Sequence, residues 1–175
     1  MELDPVDRIT ADAVGDPGQR VFYLQARKGM EVVTVLVEKQ QIELLSASIL
    51  EILSRVGLET GEGPDDEEMD LEEPVEPVWR AGRLSIGYEQ DRDLILLELI
   101  ELVPGQEEAE EAVEADEELE LDAERLRLWA TRDQMLALSR HGAQIVARGR
   151  PTCQFCGNPI DPEGHRCPAM NGHRA

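Results

Sequence analysis

Two kinds of apolar spacing alternate along the 175-residue chain, one with a period of two and one close to 3.6. Residues 8–14 alternate weakly and predict a first strand, followed by the turn former Asp16-Pro17-Gly18. Residues 21–26 and 31–37 flank Lys28-Gly29, the pattern of a β-hairpin. Residues 38–56 then change period. Ile42, Leu45, Ile49, Ile52, Leu53 and Val56 fall on one stripe of a helix that Gly57 can stop. A second hairpin is predicted from residues 80–88 and 93–103, turning at Glu89-Gln90-Asp91-Arg92. Within it, residues 94–97 are apolar on both faces, as in a central strand, and Pro104-Gly105 ends it. Leu126, Leu128 and Ala130 alternate with Arg127 and Trp129, a further strand. Thr131 or Asp133 can cap a helix running to about Arg148, with Met135, Leu138, Ile145 and Val146 on its apolar stripe.

The two strand–helix units superpose under a shift of 93 residues. Val33, Val35 and Val37 fall on Leu126, Leu128 and Ala130; Gln41, Ile42, Leu45, Ser46 and Ile52 fall on Gln134, Met135, Leu138, Ser139 and Ile145. Any two amphipathic strand–helix units share part of this pattern, so duplication and coincidence both stand at this point. Either way the expected class is α+β: a two-layer sandwich of antiparallel sheet and two helices. About 110 residues form it, enough for a self-sufficient core.

Charge changes the picture of domain organisation. The chain carries 38 acids against 17 bases, a formal net charge of −21. Residues 59–76 hold 10 acids and no base, residues 107–124 hold 11 acids and no base, and the remainder balances at 17 and 17. The organisation predicted is a neutral body over residues 1–150 with acidic inserts at 59–77 and 104–124, and a small tail over 151–175. On composition, the first insert reads as a solvated loop; like-charge repulsion opposes helix in the second. Nothing approaches 18 consecutive apolar residues, so no membrane partner is expected. The start MELDPVDR has acids where a signal peptide carries bases, which predicts a cytoplasmic protein. Oligomeric state is not legible.

All three cysteines lie between residues 153 and 167, an odd and clustered set that argues for metal rather than disulfides. Cys153-x2-Cys156-Gly157 lets the chain turn so that both thiolates face one ion. His165-x-Cys167-Pro168 adds an imidazole and a third thiolate, a tetrahedral Cys3His set for Zn2+. His173 competes with His165 for the fourth position. Four protein ligands leave no open site for water, so the zinc is expected to be structural. His141, on the preceding helix, reads as an ordinary surface residue, and Ser46 and Ser139 as packing or surface residues. No phosphate loop, dinucleotide fingerprint or nucleophile elbow occurs, and the carboxylates read as solvated runs rather than a converging pair. No catalytic or cofactor-binding residue is assigned beyond the zinc ligands.

The VFYLQAR segment (residues 21–27) after the Asp16-Pro17-Gly18-Gln19 turn, the VEKQQ helix entry (37–41) and the CxxCG…DPEGHxCPxxNGHR tail resemble an uncharacterised family of high-GC Gram-positive bacteria, a domain of unknown function. The resemblance spans nearly the whole chain. It implies that Cys153, Cys156, His165 and Cys167 belong to a shared tail, and it transfers no catalytic residue. Members tend to be encoded beside a phosphatidylinositol-kinase-like and a histidine-phosphatase-like protein, which implies a partner in a phosphorylation pathway.

Three functional readings follow. The first is a non-enzymatic, zinc-stapled adaptor or regulatory protein that binds a protein partner. The second is nucleic-acid binding by residues 125–175, which carry eight arginines against three acids. Only Phe155 is available in the tail for stacking. The third is an enzyme of unrecognised type.

Overall fold

Each half of the chain forms a run of strands and then a helix, four strands before the first and three before the second, because each carries alternating hairpin arms before its 3.6-period stripe. The computed structural model describes residues 1–103, 123–148 and 154. Its strands are β1 (Glu2–Leu3), β2 (Arg8–Val14), β3 (Val21–Lys28), β4 (Glu31–Val37), β5 (Pro77–Glu89), β6 (Leu94–Glu101) and β7 (Arg125–Ala130). Its helices are α1 (Lys39–Val56) and α2 (Arg132–Ala147), with a 3-10 turn at Asp66–Met69. The four cysteine and histidine ligands named above, His173, and the second acidic insert up to residue 122 lie outside the described residues.

The α+β architecture stands as expected. The sheet, however, is mixed rather than wholly antiparallel. Its order is β1-β7-β6-β5-β4-β3-β2, with parallel pairing at β4/β5 and β1/β7. The β4/β5 junction is parallel because α1 and the segment after it carry the chain back to the start of its neighbour, as a crossover must. β6 lies inside the sheet, which is why residues 95, 97 and 99 are wholly buried isoleucine and leucines.

β1 and β2 are consecutive in the chain yet stand at opposite ends of the strand order. Residues 4–7 join those ends. The Val6 N–H donates to the Trp129 carbonyl at 2.8 Å, extending the β7 side, and the Asp7 N–H donates to the Arg27 carbonyl at 2.8 Å, extending the β3 side. The sheet therefore curls until its two ends meet at residues 4–7, which continue both terminal ladders. The Asp4 carboxylate and the Arg92 guanidinium lock the same corner at 2.5 Å. That pairing holds Asp4 below the usual carboxylate range.

The internal duplication is visible in the geometry. Leu24 pairs with Val35 in the first half and Leu97 with Leu128 in the second; Ala26 pairs with Val33, and Leu99 with Leu126. Thr34 meets Pro77 across one parallel junction, and Arg127 meets Glu2 across the other. At each helix entry a glutamine closes back on the cap. The Glu38 N–H donates to Gln41 Oε1 at 2.8 Å, and the Thr131 N–H donates to Gln134 Oε1 at 2.9 Å. The amides of these two glutamines reach equivalent strand carbonyls, Ala81 and Val6, at 3.2 and 3.1 Å. β1 with β2 is thus the counterpart of the single long strand β5.

The helices run antiparallel. Gly142 near the end of α2 lies against Ile42 near the start of α1, and Arg132 at the start of α2 holds the Glu59 carbonyl just after α1. Ile42, Leu45, Ile49, Met135, Leu138 and Ile145 are buried with the strand residues in one core. Each fully buried side chain of this size is worth about 2 kcal/mol in area removed from water.

Residues 59–76 depart from the solvated loop that composition suggested. They form a strap over the α2–β2 seam. Met69 is 1% exposed. The Thr10 hydroxyl donates to the Met69 carbonyl at 2.5 Å, and the Arg8 guanidinium donates to the Glu68 and Asp70 carbonyls. Gln25 exchanges hydrogen bonds with Glu72 through both of its amide atoms. The carboxylates stay at the rim while one apolar side chain and the backbone carbonyls face inward. This explains why a ten-acid stretch can be ordered: the body meets mainly its carbonyls, and the carboxylates it does meet face a cation, Glu72 pairing with Arg27 at 3.1 Å.

Candidate functional site

Three sites collect polar chemistry on this frame. The first lies where the end of α1 faces the β5–β6 hairpin. Ile52, Val56, Leu58 and Ile86 supply apolar walls, and Arg55, Tyr88, Gln90 and Asp93 the polar groups, around an open groove of about 810 Å3. Asp93 sits in the left-handed region at φ 52, where a short carboxylate side chain is tolerated. This orients its two oxygens onto two elements. The Tyr88 hydroxyl donates to Asp93 Oδ1 at 2.7 Å, and Arg132 grips both oxygens at 2.7 and 3.1 Å. Arg132 also holds the Glu59 carbonyl and the Thr60 hydroxyl, each at 2.9 Å, so the hairpin, α2 and the start of the strap share one cation. The hydrogen bond from Arg132 holds Asp93 below the usual carboxylate range, and the hydrogen bond to Asp93 raises Tyr88 above its ordinary value.

The second site lies along the α1–β5 seam. Gln41, Leu44, Leu45 and Ser48 face Arg83, Leu84, Ser85 and Ile86 across a groove of about 300 Å3. Leu44 is 68% exposed.

The third is a buried histidine. His141 is only 2% exposed, which corrects the surface assignment. Its Nε2 faces Asp12 Oδ2 at 3.3 Å and its Nδ1 faces Asp66 Oδ1 at 3.4 Å. Two carboxylates on the two ring nitrogens favour the imidazolium. The hydrogen bond with Asp12 raises His141 above its ordinary value against the opposing effect of burial. Burial pushes Asp12 up, but the bonds from His141 and from the Ala13 N–H overcome it and leave the carboxyl below its usual range. The expectation of no converging carboxylates is corrected by the same cluster. No local signal could have found it, because its partners lie 129 and 75 residues away in the chain. Arg132 lies 39 residues from Asp93 and carries no local signal either, whereas Tyr88 and Asp93 stand five residues apart on one hairpin.

The predicted zinc ligands Cys153, Cys156, His165 and Cys167, and the alternative His173, lie outside the described residues. Among the described residues, no group of three or more His, Cys, Asp or Glu is arranged to hold a metal ion. No described helix is long and apolar enough to cross a membrane.

The described arginines of the basic region are engaged within the protein. Arg125 pairs with Glu98, Arg127 with Glu2 and Glu98, and Arg132 with Asp93. Arg140 donates to the Glu62 and Pro64 carbonyls, and Arg148 to Gln144. Ser46 and Ser139 are buried where the helices cross.

The fold and these grooves define a class: an α+β body of two matching halves, curled end to end, with one helix–strand seam strapped and the other, among the described residues, holding a groove. The chain belongs to the family described as protein of unknown function (DUF3090), whose model matches residues 1–167. Neither the curated proteins nor the solved structures provide a match.

Proposed function

We propose that the protein is a non-enzymatic adaptor or regulatory protein that holds extended segments of polypeptide, with a tail stapled by structural Zn2+ on Cys153, Cys156, His165 and Cys167. One observation carries this reading. The strap over residues 59–76 is held by β2, β3 and α2 much as a bound peptide would be, through its carbonyls and one buried methionine. The groove between α1 and the β5–β6 hairpin offers a protein partner the same kind of surface: apolar walls from Ile52, Val56 and Leu58, with the Tyr88 hydroxyl, Gln90 and the Asp93 carboxylate at the rim. Leu58 is 54% exposed there. Engagement of the described arginines by the protein's own acids and carbonyls supports the adaptor over the nucleic-acid reading. A phosphorylation pathway, implied by the family resemblance, is the setting in which the partner is to be sought.

The test is a photo-crosslinking residue in place of Gln90, in chain produced in its native host without chelator. The reading expects one protein partner captured in stoichiometric yield, with capture lost when Leu58→Glu is added. A small organic molecule retained instead would favour an enzyme. Capture that Leu58→Glu does not change, or no capture, would refute the groove assignment. Native mass on the same preparation expects one zinc per chain, lost in the Cys153→Ser/Cys156→Ser double variant. A metal-free protein with all three thiols free and the body still folded overturns the staple.

A further inference from the structure

We propose that the partner is held by strand addition: an extended polypeptide segment, apolar at alternate residues and basic at its flanks, pairs its backbone with the edge of β5 at Leu84, Ile86 and Tyr88. The inference rests on the partner reading above and states how the groove takes its segment.

β5 outruns its neighbour on one side. It extends from Pro77 to Glu89, but β4 pairs with it only at Thr34 with Pro77 and Leu36 with Arg80. β4 ends at Val37, where the chain turns into α1. Beyond that point a helix, not a strand, flanks β5.

Hydrogen-bond alternation shows which groups face the helix. The Glu101 N–H donates to the Glu124 carbonyl, so on β6 Leu99, Leu97 and Ile95 turn toward β7 as Glu101 does. Ile100, Glu98 and Leu96 turn toward β5, where their partners are Arg83, Ser85 and Gly87. Leu84, Ile86 and Tyr88 alternate with these and aim their N–H and C=O groups away from β6. Among the described residues, no backbone group pairs with them on that side. The Ala81 carbonyl, nearer β4, is taken by the Gln41 amide of α1 at 3.2 Å. After it the edge carries donors and acceptors at strand spacing, a pattern that another extended backbone matches.

The space beside this edge fits such a segment. The two grooves along α1 meet at Ile86, which lines both, and together they follow β5 from Gly82 to Tyr88. That length is about 20 Å of strand. Side chains of an added strand that point with Leu84 and Ile86 meet the apolar wall of Ile52, Val56 and Leu58. Those between them point to solvent beside Ser85 and Gly87, both exposed. This sets the alternation. The chain's net charge of −21 sets the flanks, since it attracts basic residues and repels acidic ones. The first half has no such accessible edge. By register Ile9 and Ala11 stand where Leu84 and Ile86 stand, and they are 2% and 1% exposed, whereas Leu84 and Ile86 are half-buried.

The experiment adds a synthetic peptide, Lys-Lys-Val-Thr-Val-Thr-Val-Thr-Lys-Lys, to the full chain and reads amide exchange by NMR. Without peptide, the Leu84, Ile86 and Tyr88 amides are expected to exchange about ten-fold faster than those of Ser85 and Gly87. At saturating peptide they should slow by about ten-fold, with Ser85 and Gly87 unchanged. Two further peptides are N-methylated at the three valines or at the three threonines. One should lose the effect and the other keep it, because only alternate N–H groups of an added strand face β5. No slowing at millimolar peptide, the same response to both methylated peptides, or equal slowing of Ser85 and Gly87 each overturns the inference. Capture at Gln90 that Leu58→Glu abolishes, without slowing here, refutes strand addition alone. Absence of capture at Gln90 refutes the groove reading and this inference with it.

Discussion

Ser139 donates its hydroxyl hydrogen to the carbonyl of Ser46 at 2.8 Å, and the two serines hold equivalent positions in the two halves. They mark where α1 crosses α2. A small polar residue is used twice because the helix backbones approach closely there, and a buried hydroxyl needs a partner. Gly142 extends the same contact. A Cβ at that position would lie 2.7 Å from Ser46 Oγ and 3.1 Å from Ile42 Cγ2.

Gly142→Ala should therefore destabilise the protein although alanine is the better helix former. The propensity gain of about 1 kcal/mol opposes an overpacking cost of about 1–3 kcal/mol. Ser46→Ala in the same chain removes the nearer clash and should recover part of the loss. Denaturant titration of the two single variants and the double variant reads this as a positive coupling; strict additivity would rule out the contact.

His141 makes stability depend on pH. Its folded-state pKa lies above the ordinary 6.5, so its contribution is fully present below that pH and is lost as pH rises through the raised value. Asp12 lies below 3.8, so its contribution is present above that pH and is lost as pH falls through the lowered value. The pair is jointly strongest between about pH 4 and 6.5. His141→Gln should cost about 1–3 kcal/mol at pH 6, because it leaves Asp12 without its cation. The variant should also flatten the fall of Tm expected of the native protein as pH rises above 6.5. Parallel curves for the two proteins would show that His141 does not titrate in the fold.

Met69→Ala should cost about 2–4 kcal/mol, since it empties a wholly buried position beneath the strap. The loss should be regional, with residues 59–76 becoming the first site of proteolytic cleavage while α1 and β6 keep their exchange protection. Cleavage first at the β3–β4 turn would show that the strap does not depend on this anchor.

Asp93→Asn keeps the tolerance for φ 52 and removes the charge that faces Tyr88. The Tyr88 hydroxyl should then titrate closer to its ordinary value than in the native protein, read as phenolate absorbance in a Tyr23→Phe background. An unchanged titration would mean that the carboxylate does not set the property.

Much of the architecture was legible in advance. The spans of β2 and β4 and both helices followed from periodicity and turn chemistry, because one face of each element packs against the core and shows its period. The Gln41/Gln134 and Ser46/Ser139 correspondences, readable as a 93-residue shift, are structural equivalences. The strap was not legible. Ten carboxylates say nothing about carbonyls, and it is the carbonyls that Arg8 and Thr10 hold.

The chain alone determined the local elements and the clustering of Cys153, Cys156 and Cys167 with His165, since these depend on residues near one another; the 93-residue shift became a structural repeat only through the strand registers. Only the tertiary structure decided that residues 4–7 join the two ends of the sheet, that β4 and β5 run parallel, and that His141 is enclosed by Asp12 and Asp66. Those relationships depend on which distant strand or loop comes to lie alongside. Periodicity shows which face of an element is buried; it does not show what buries it.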